Sequence, residues 1–301
     1  MTDRIAAVAA RLPQVEQRTE ESLKNHTSFR IGGNAELMLF PKSEMELAAA
    51  IAAAREENVP FRILGGGTNV LAPDEDLRGV VICLKDCLCG LRLLDETRIE
   101  AYAGETMARL AVFARNRGLA GLEFAHGIPG TVGGGIFMNA GAYGGELCQV
   151  AETVTVLDQN GAICTVPCNG HTFGYRTSIF QNGEIIVRAV FRLQKGDPAA
   201  IRAKMEELMQ KRKASQPLEL PSAGSAFKRP QNGYAAAMID EAGLKGFRIG
   251  GAAVSEKHAG FIVNLGGATA KDVKAVLGHV SDAVLARTGI RLEPEVRIWE
   301  A

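Results

Sequence analysis

Two glycine-dense stretches carry the clearest chemical signal in this chain. One runs Gly127-Ile128-Pro129-Gly130-Thr131-Val132-Gly133-Gly134-Gly135 and is followed by Asn139-Ala140-Gly141-Ala142-Tyr143-Gly144-Gly145. The other is Leu64-Gly65-Gly66-Gly67-Thr68-Asn69-Val70-Leu71. Glycine at such density lets backbone N–H groups approach a ligand with no side chain in between. Thr68, Asn69, Thr131 and Asn139 add groups that can hydrogen-bond. Together the stretches suit the pyrophosphate of a large cofactor. Taken singly, each also reads as a turn. Neither is a P-loop, because no Gly-Lys-Ser/Thr follows to neutralise a triphosphate and hold magnesium. Neither is the usual dinucleotide fingerprint, which needs Gly-x-Gly-x-x-Gly opening a helix and an acidic residue about 20 positions later.

Three further positions could do chemistry. Gly174-Tyr175-Arg176-Thr177-Ser178 puts an aromatic ring beside a guanidinium. Ala223-Gly224-Ser225-Ala226-Phe227-Lys228 puts a hydroxyl after glycine. Leu292-Glu293-Pro294-Glu295-Val296-Arg297 sets a carboxylate in an apolar strand. Each has a plainer reading: a packed Tyr-Arg pair, a turn serine, a Glu295–Arg297 ion pair. The six cysteines, at 83, 87, 89, 148, 164 and 168, form no Cys-x-x-Cys pair. No histidine stands near Cys83, Cys87 and Cys89, so they read as reduced structural thiols and not as metal ligands.

These positions need elements to hold them. The first part alternates strand and helix: a helix over 44–57, a strand over 61–64 entering the first glycine stretch, strands over 79–84 and 99–103, and a helix over 106–117 ended by Gly118. From Ala151 the pattern turns β-rich. Runs at 153–157 and 162–166 flank Asp158-Gln159-Asn160-Gly161, a hairpin signal, and 184–193 is a further strand. Asp197 caps the next helix with Pro198 at its first position, and Ile201, Met205 and Leu208 share one face. Lys211-Arg212-Lys213 reads as its solvated end. A loop over 216–225 leads to a short helix (233–241), a strand (258–264), a long amphipathic helix (269–287) and a last strand (292–299).

The 301 residues are 47% apolar and can bury real cores. Lys+Arg and Asp+Glu are equal at 34 each, which argues against a general nucleic-acid binder. No run approaches the ~20 apolar residues of a membrane span. Residues 1–18 lack the apolar centre of a signal peptide. The expectation is a soluble cytoplasmic protein with no nucleic-acid partner and no membrane insertion.

The motifs occur in a recognisable order: Thr27-Ser28-Phe29-Arg30-Ile31-Gly32-Gly33, Gly65–Leu71, Ile128–Gly135, Asn139–Gly145, Tyr175–Phe180, Gly224–Lys228 and Leu292–Arg297. From about Leu23 to Ile298 the chain resembles the UDP-N-acetylenolpyruvoylglucosamine reductase family, in its shorter type II form. The resemblance implies an α+β protein with an FAD-binding fold of the vanillyl-alcohol oxidase (PCMH) type in two subdomains, plus a smaller α+β substrate-binding domain. The parts would be 1–84 joined by the C-terminal strand 291–301, then 85–194, then 195–290. FAD would be held by Gly65, Gly66, Gly67, Thr68, Asn69, Gly130, Thr131, Gly134, Asn139 and Gly141. NADPH would reduce FAD, which would in turn reduce the enolpyruvyl group of a UDP-sugar in peptidoglycan precursor synthesis, and so serve cell shape and division. Arg176 would meet the charge developing on the substrate carboxylate, Ser225 would donate a proton, and Glu295 would complete the catalytic trio. Tyr175 and Lys228 would hold substrate. The family implies no metal, and a monomer is expected. One departure stands out: Arg229 occupies a position where the family usually has Asn. Two other readings remain, another FAD-dependent oxidoreductase of the same cofactor fold and a non-catalytic nucleotide-binding module.

Overall fold

The computed structural model describes residues 2–301, and the chain divides into two compact units. One holds the residues up to Thr19, Glu36–Gly66 and Gly79–Lys211; the other holds Glu20–Ala35, Gly67–Arg78 and Arg212–Ala301.

The first unit contains a five-stranded antiparallel sheet in the order Ile163–Pro167, Ala151–Leu157, Ile185–Arg192, Arg98–Tyr102, Leu91–Leu93. The expected change of texture at Ala151 is therefore not a sheet boundary. Arg98–Tyr102 pairs with Ile185–Arg192, so strands from both halves share one ladder. Non-local pairing of this kind leaves no local mark in a sequence. Phe61–Leu64 pairs in parallel with Leu77–Cys83 at the edge of a four-stranded sheet. The helix Glu44–Glu56 begins at Ser43, whose Oγ accepts the Glu46 N–H. Arg188 ties it to the large sheet through ion pairs with Glu44 and Glu100.

The expected hairpin forms, with Leu157 opposite Ile163. Of its turn residues only Gly161 is left-handed (φ +84°). The Asp158 carboxylate accepts the Asn160 and Ala162 N–H groups at 2.8 Å each. The Asn-Gly pair thus works through an Asx-type cap rather than the mirror-image two-residue turn. Asp197 caps Pro198–Ser215 as expected, accepting the N–H groups of Ala199 and Ala200. The basic end of that helix is not uniformly solvated, since Arg212 is only 9% exposed.

The second unit is built on an antiparallel sheet in the order Ser222–Ser225, Phe261–Asn264, Ala252–Val254, Arg248–Ile249. The helix Ala270–Thr288 supplies its core with Val273, Val276, Leu277, Val280 and Val284, the stripe seen in the sequence. Its start is doubly held. Thr269 and Asp272 form a capping box, and the Asp74 carboxylate accepts the N–H groups of Ala270 (2.6 Å) and Lys271 (3.0 Å).

Two strands are shorter than expected. The one predicted from His258 begins at Phe261 because His258 closes a turn: its Nδ1 accepts the Gly260 N–H and its carbonyl accepts that of Phe261. In 292–299 only Arg297–Ile298 is ladder, paired in parallel with Val70–Leu71. The residues before it pair elsewhere.

Burial lowers the pKa of His258, and burial followed by the nearby Arg115 lowers that of His126. The unfolded chain then binds more protons than the folded one below about pH 6.5, the ordinary histidine value. Stability is expected to be full above that pH and to fall as pH drops through the folded values. Urea melts between pH 5 and 8 should show this slope, and His258→Asn, which keeps an acceptor for Gly260, should flatten it. An unchanged slope would remove His258 from the account. Burial also pushes the thiols of Cys83 up to about 12 and of Cys89 and Cys168 up to about 11. Alkylation at pH 8 followed by mass spectrometry should therefore label the exposed Cys164 well before Cys83.

Candidate active site

In the first unit the two glycine stretches abut. A Cβ on Gly66 would stand 2.8 Å from the Gly130 Cα, and one on Gly65 2.5 Å from Thr131 Oγ1. Real side chains do not fit at such distances. Thr131 is buried, and its Oγ1 accepts the Gly134 N–H to cap the helix Val132–Phe137. The expected loop is thus helical through Gly133, Gly134 and Gly135. Glycine disfavours helix, so tertiary packing must prevail here. A Cβ on Gly133 would meet Ala103 Cβ at 2.8 Å, and one on Gly135 would meet Leu147 Cδ1 and Met107 Sδ at 2.9 Å. Gly134 differs. The nearest atom to its Cβ position is Thr131 Oγ1 at 3.6 Å, so packing does not explain its lack of a side chain. A bare backbone with open space beside it fits a flat, phosphorylated cofactor.

Arg176 sits on the tip of a tight hairpin, Phe173–Gly174 against Thr177–Ser178. Its backbone is left-handed at φ +54°, uncommon for a side chain of this size. The guanidinium donates to two carbonyl oxygens, Asn139 O at 3.3 Å and Gly141 O at 3.0 Å. Those carbonyls flank a second hairpin, Gly141–Ala142 against Gly145–Glu146, whose tip residues Tyr143 (φ +54°) and Gly144 (φ +85°) are both left-handed. Asn139, also left-handed at φ +42°, is 1% exposed. Its Nδ2 donates to Glu146 Oε2 (3.1 Å) and Gly174 O (3.0 Å), and its Oδ1 accepts the Cys148 N–H. Both of its donors are therefore committed to protein acceptors. Tyr175 is exposed at the hairpin tip beside Arg176. Sequence reasoning missed Glu146 and gave no role to Tyr143. An aromatic residue set directly before two glycines, Tyr143-Gly144-Gly145, was the available signal for the latter.

In the second unit, Ser225 ends the strand Ser222–Ser225 after a bulge. Ser222 pairs with Val263 and Ser225 with Phe261, and Gly224 turns left-handed (φ +76°) between them. A bulge of this kind re-aims the next side chain, and Ser225 is exposed. The segment carrying Glu295 runs alongside. Lys228 N donates to Glu293 O, Glu295 N to Ala226 O, Arg297 N to Asn69 O and Trp299 N to Leu71 O. Asn69 Nδ2 adds a bond to Glu295 O at 3.2 Å. Ser225, Lys228, Asn69 and Glu295 are thus brought together by one strap. Lys228 Nζ pairs with Glu293 at 2.7 Å. Arg229 lies over the Tyr234 ring, 4.2 Å from its centroid, and donates to Gly233 O, which engages it within its own loop. Thr68 continues the loop from Gly67, whose carbonyl accepts the Ser28 N–H, while Ser28 Oγ donates to Ser222 O at 2.6 Å. Ser28 so links the Thr27–Gly33 motif to both the glycine loop and the serine strand.

Among the described residues no group of three His, Cys, Asp or Glu could hold a metal ion, and no helix is long and apolar enough to cross a membrane. A family model described as an FAD binding domain matches residues 35–204. One described as the UDP-N-acetylenolpyruvoylglucosamine reductase C-terminal domain matches residues 216–299. The chain is 48% identical over 281 residues to the UDP-N-acetylenolpyruvoylglucosamine reductase of Caldanaerobacter subterraneus subsp. tengcongensis, covering 92% of each. It is 44% identical over 294 residues to that of Lactiplantibacillus plantarum, covering 97% of this chain and 96% of the relative. The crystal structure of UDP-N-acetylenolpyruvylglucosamine reductase from Thermus caldophilus superposes with a TM-score of 0.81 at 36% identity, over 95% of this chain and 99% of that one. The chain has the α+β FAD-binding fold expected from its motifs. It belongs to the UDP-N-acetylenolpyruvoylglucosamine reductase family and is an FAD-dependent oxidoreductase.

Proposed function

We propose that this chain reduces UDP-N-acetylglucosamine enolpyruvate to UDP-N-acetylmuramate, with NADPH as reductant, as a cytoplasmic monomer serving peptidoglycan precursor synthesis. The observation that carries the reading is Arg176, a cation held by two carbonyl oxygens on a strained hairpin. An alkene beside a carboxylate accepts hydride poorly, because negative charge accumulates on a group already anionic. A fixed guanidinium offsets that charge without reorganising during the reaction. FAD, when bound, supplies the hydride relay between the nicotinamide and the double bond. Gly65, Gly66, Gly67, Thr68, Asn69, Gly130, Thr131, Gly134 and Gly141 would hold it, with Asn139 supporting them through its protein contacts.

The remaining roles fall to this chain's own groups. Arg176 binds the substrate carboxylate and stabilises the enolate-like charge. Ser225 Oγ–H gives its proton to the carbon next to that carboxylate; a hydroxyl is a weak acid, but a carbanion is basic enough when the geometry is held. The bulge at Gly224 supplies that geometry. Glu295, fixed through its backbone to Ala226 and Asn69, is the third member. Tyr175 and Lys228 bind the rest of the UDP-sugar. The functional parts are 1–84 joined by 291–301, 85–194 and 195–290. The pairing of Arg297–Ile298 with Val70–Leu71 supports that joining.

An anaerobic cuvette tests the reading. Purified protein should show a flavin spectrum, bleach with NADPH, and recover on addition of UDP-N-acetylglucosamine enolpyruvate. Bleaching without recovery would reject the acceptor. Ser225→Ala should bleach normally yet recover about 10²–10⁴ times more slowly, the usual worth of general acid catalysis. Recovery at the wild-type rate would reject Ser225 as donor. The glycines divide by role. Gly133→Ala should destabilise the apoprotein by about 1–3 kcal/mol through overpacking. Gly134→Ala should leave it unchanged or raise it by up to ~1 kcal/mol, the helix propensity difference, while weakening FAD binding. Urea melts of the apoprotein and FAD titrations separate the two, and undiminished FAD affinity in Gly134→Ala would remove Gly134 from the cofactor site.

A further inference from the structure

The Thr27–Gly33 motif carries a cation that the roles above do not employ. Arg30 is exposed and left-handed, at φ +56°. Among the described residues its guanidinium has no hydrogen-bond or ion-pair partner. Its backbone, by contrast, is held on both sides. Phe29 and Ile31 are buried, Arg30 N donates to Thr27 O at 3.1 Å, and Thr27 Oγ1 donates to Ile31 O at 3.1 Å. Ser28 ties the same turn to Gly67 O and Ser222 O. Asn264, 7% exposed, donates Nδ2 to Phe29 O at 3.0 Å. Its Oδ1 accepts the N–H groups of Gly266 (2.8 Å) and Ala268 (3.2 Å). One buried amide thus clamps the Arg30 turn to the exposed Leu265-Gly266-Gly267 loop. Gly267 N–H, between the two that Asn264 accepts, has no acceptor among the described residues. Nothing stands within 4 Å of a Cβ placed on Gly266 or Gly267. The carboxylates at the adjoining helix start, Asp74 and Asp272, accept backbone N–H groups there and make no ion pair with Arg30.

We propose that Arg30 binds the diphosphate of a nucleotide ligand, with Gly267 N–H as a second donor to the same group. Glycine adopts φ +56° without strain, so the fold alone does not call for an arginine there. Strain of this kind, at a position whose side chain packs against nothing, points to a use for the head group. The planar guanidinium matches phosphate oxygens two at a time, and a clamped backbone lowers the cost of ordering it. A backbone N–H beside two open glycines suits the same ligand. The turn is bonded both to the glycine loop at Gly67 and to the strand that ends in Ser225. The first is assigned above to FAD and the second to the UDP-sugar, and each of these ligands carries a diphosphate. The inference rests on that reading for its ligands.

The test compares Arg30→Gly with wild type in three measurements: urea melts of the apoprotein, titration of the apoprotein with FAD and with riboflavin, and titration of the holoenzyme with UDP and with uridine. Glycine removes the head group and the strain together, so the urea midpoint should hold or rise. One diphosphate ligand should bind about tenfold or more weakly, the order of a lost hydrogen bond to a charged group. Its counterpart without phosphate, riboflavin or uridine, should bind as before. A loss confined to FAD assigns the site to the cofactor, and a loss confined to UDP assigns it to the substrate. Arg30→Gln, which keeps the Cβ and removes the charge, should weaken the same ligand, and it decides if the glycine variant does not fold. Affinities for FAD and UDP both within twofold of wild type would overturn the proposal. So would equal losses for a nucleotide and its phosphate-free counterpart, because a structural role would produce them. Wild-type holoenzyme that binds no UDP would reject the substrate reading instead, and the FAD titration would then decide for Arg30 by itself.

Discussion

The approach of Gly65-Gly66 to Gly130-Thr131 is the constraint on which the cofactor half of this protein depends. The two backbones pass so closely that neither tolerates a Cβ. Everything near them is arranged to make that approach stable. Thr131 is buried and turns its hydroxyl to the helix behind it. Val132 N and Gly133 N bond to Glu105 O and Ala103 O, which draws the helix start onto the end of Arg98–Tyr102. Gly133 and Gly135 then permit contact with Ala103, Met107 and Leu147. Each glycine in a helix costs about 1 kcal/mol against alanine. The close packing gained must exceed that cost, and the exception, Gly134, is the position left without a packing reason.

The Arg176 region follows a different rule, in which strain is tolerated so that charge can be fixed. Three non-glycine residues close in sequence or space, Asn139, Tyr143 and Arg176, are left-handed. Such conformations cost of order 1 kcal/mol or more each and persist only where the surroundings over-determine them. Here the over-determination is visible. The tip of one hairpin is bonded to the start of the other through the Arg176 guanidinium, and the Asn139 amide bonds both to Glu146 and to Gly174. Removing an acceptor of the Asn139 amide would leave one N–H of a buried side chain unpaired, which costs more than the bond itself contributes.

Much of this was legible where the signal is local. The Asp197-Pro198 start, the apolar stripe of Ala270–Thr288 and the Asp158–Gly161 turn are each set by residues within a few positions of one another, and the structure has them all. Signals that depend on distant partners were not legible. The strand Arg98–Tyr102 joins a sheet with Ile185–Arg192, and the extended run 292–299 divides its bonds between Ala226-Lys228 and Asn69-Leu71. The glycine helix was hidden because propensity argues against it. Of the proposed site, Arg176, Ser225 and Glu295 were nominated from the order of motifs. Glu146 could not, because its nearness to Arg176 appears only once the Tyr143-Gly144 turn folds the chain back.

The strap through Glu295 shows why an extended segment that is not a regular strand can be the more exact device. A strand in one ladder has its register set by one neighbour. Here Glu295 N bonds to Ala226 O, while Glu295 O accepts Asn69 Nδ2 and Arg297 N bonds to Asn69 O. The residue is therefore registered at once against the serine-bearing strand and against the glycine loop. A slip relative to either neighbour would break bonds to the other. Ser28 closes the circuit, bonding Gly67 O through its N–H and Ser222 O through its hydroxyl. Glu295 is thus fixed through its backbone to Ala226, the neighbour of Ser225, and to the Asn69 amide within the second unit. Side chains on such a frame can be exposed, as Ser225 is, while the backbone that carries them stays fixed.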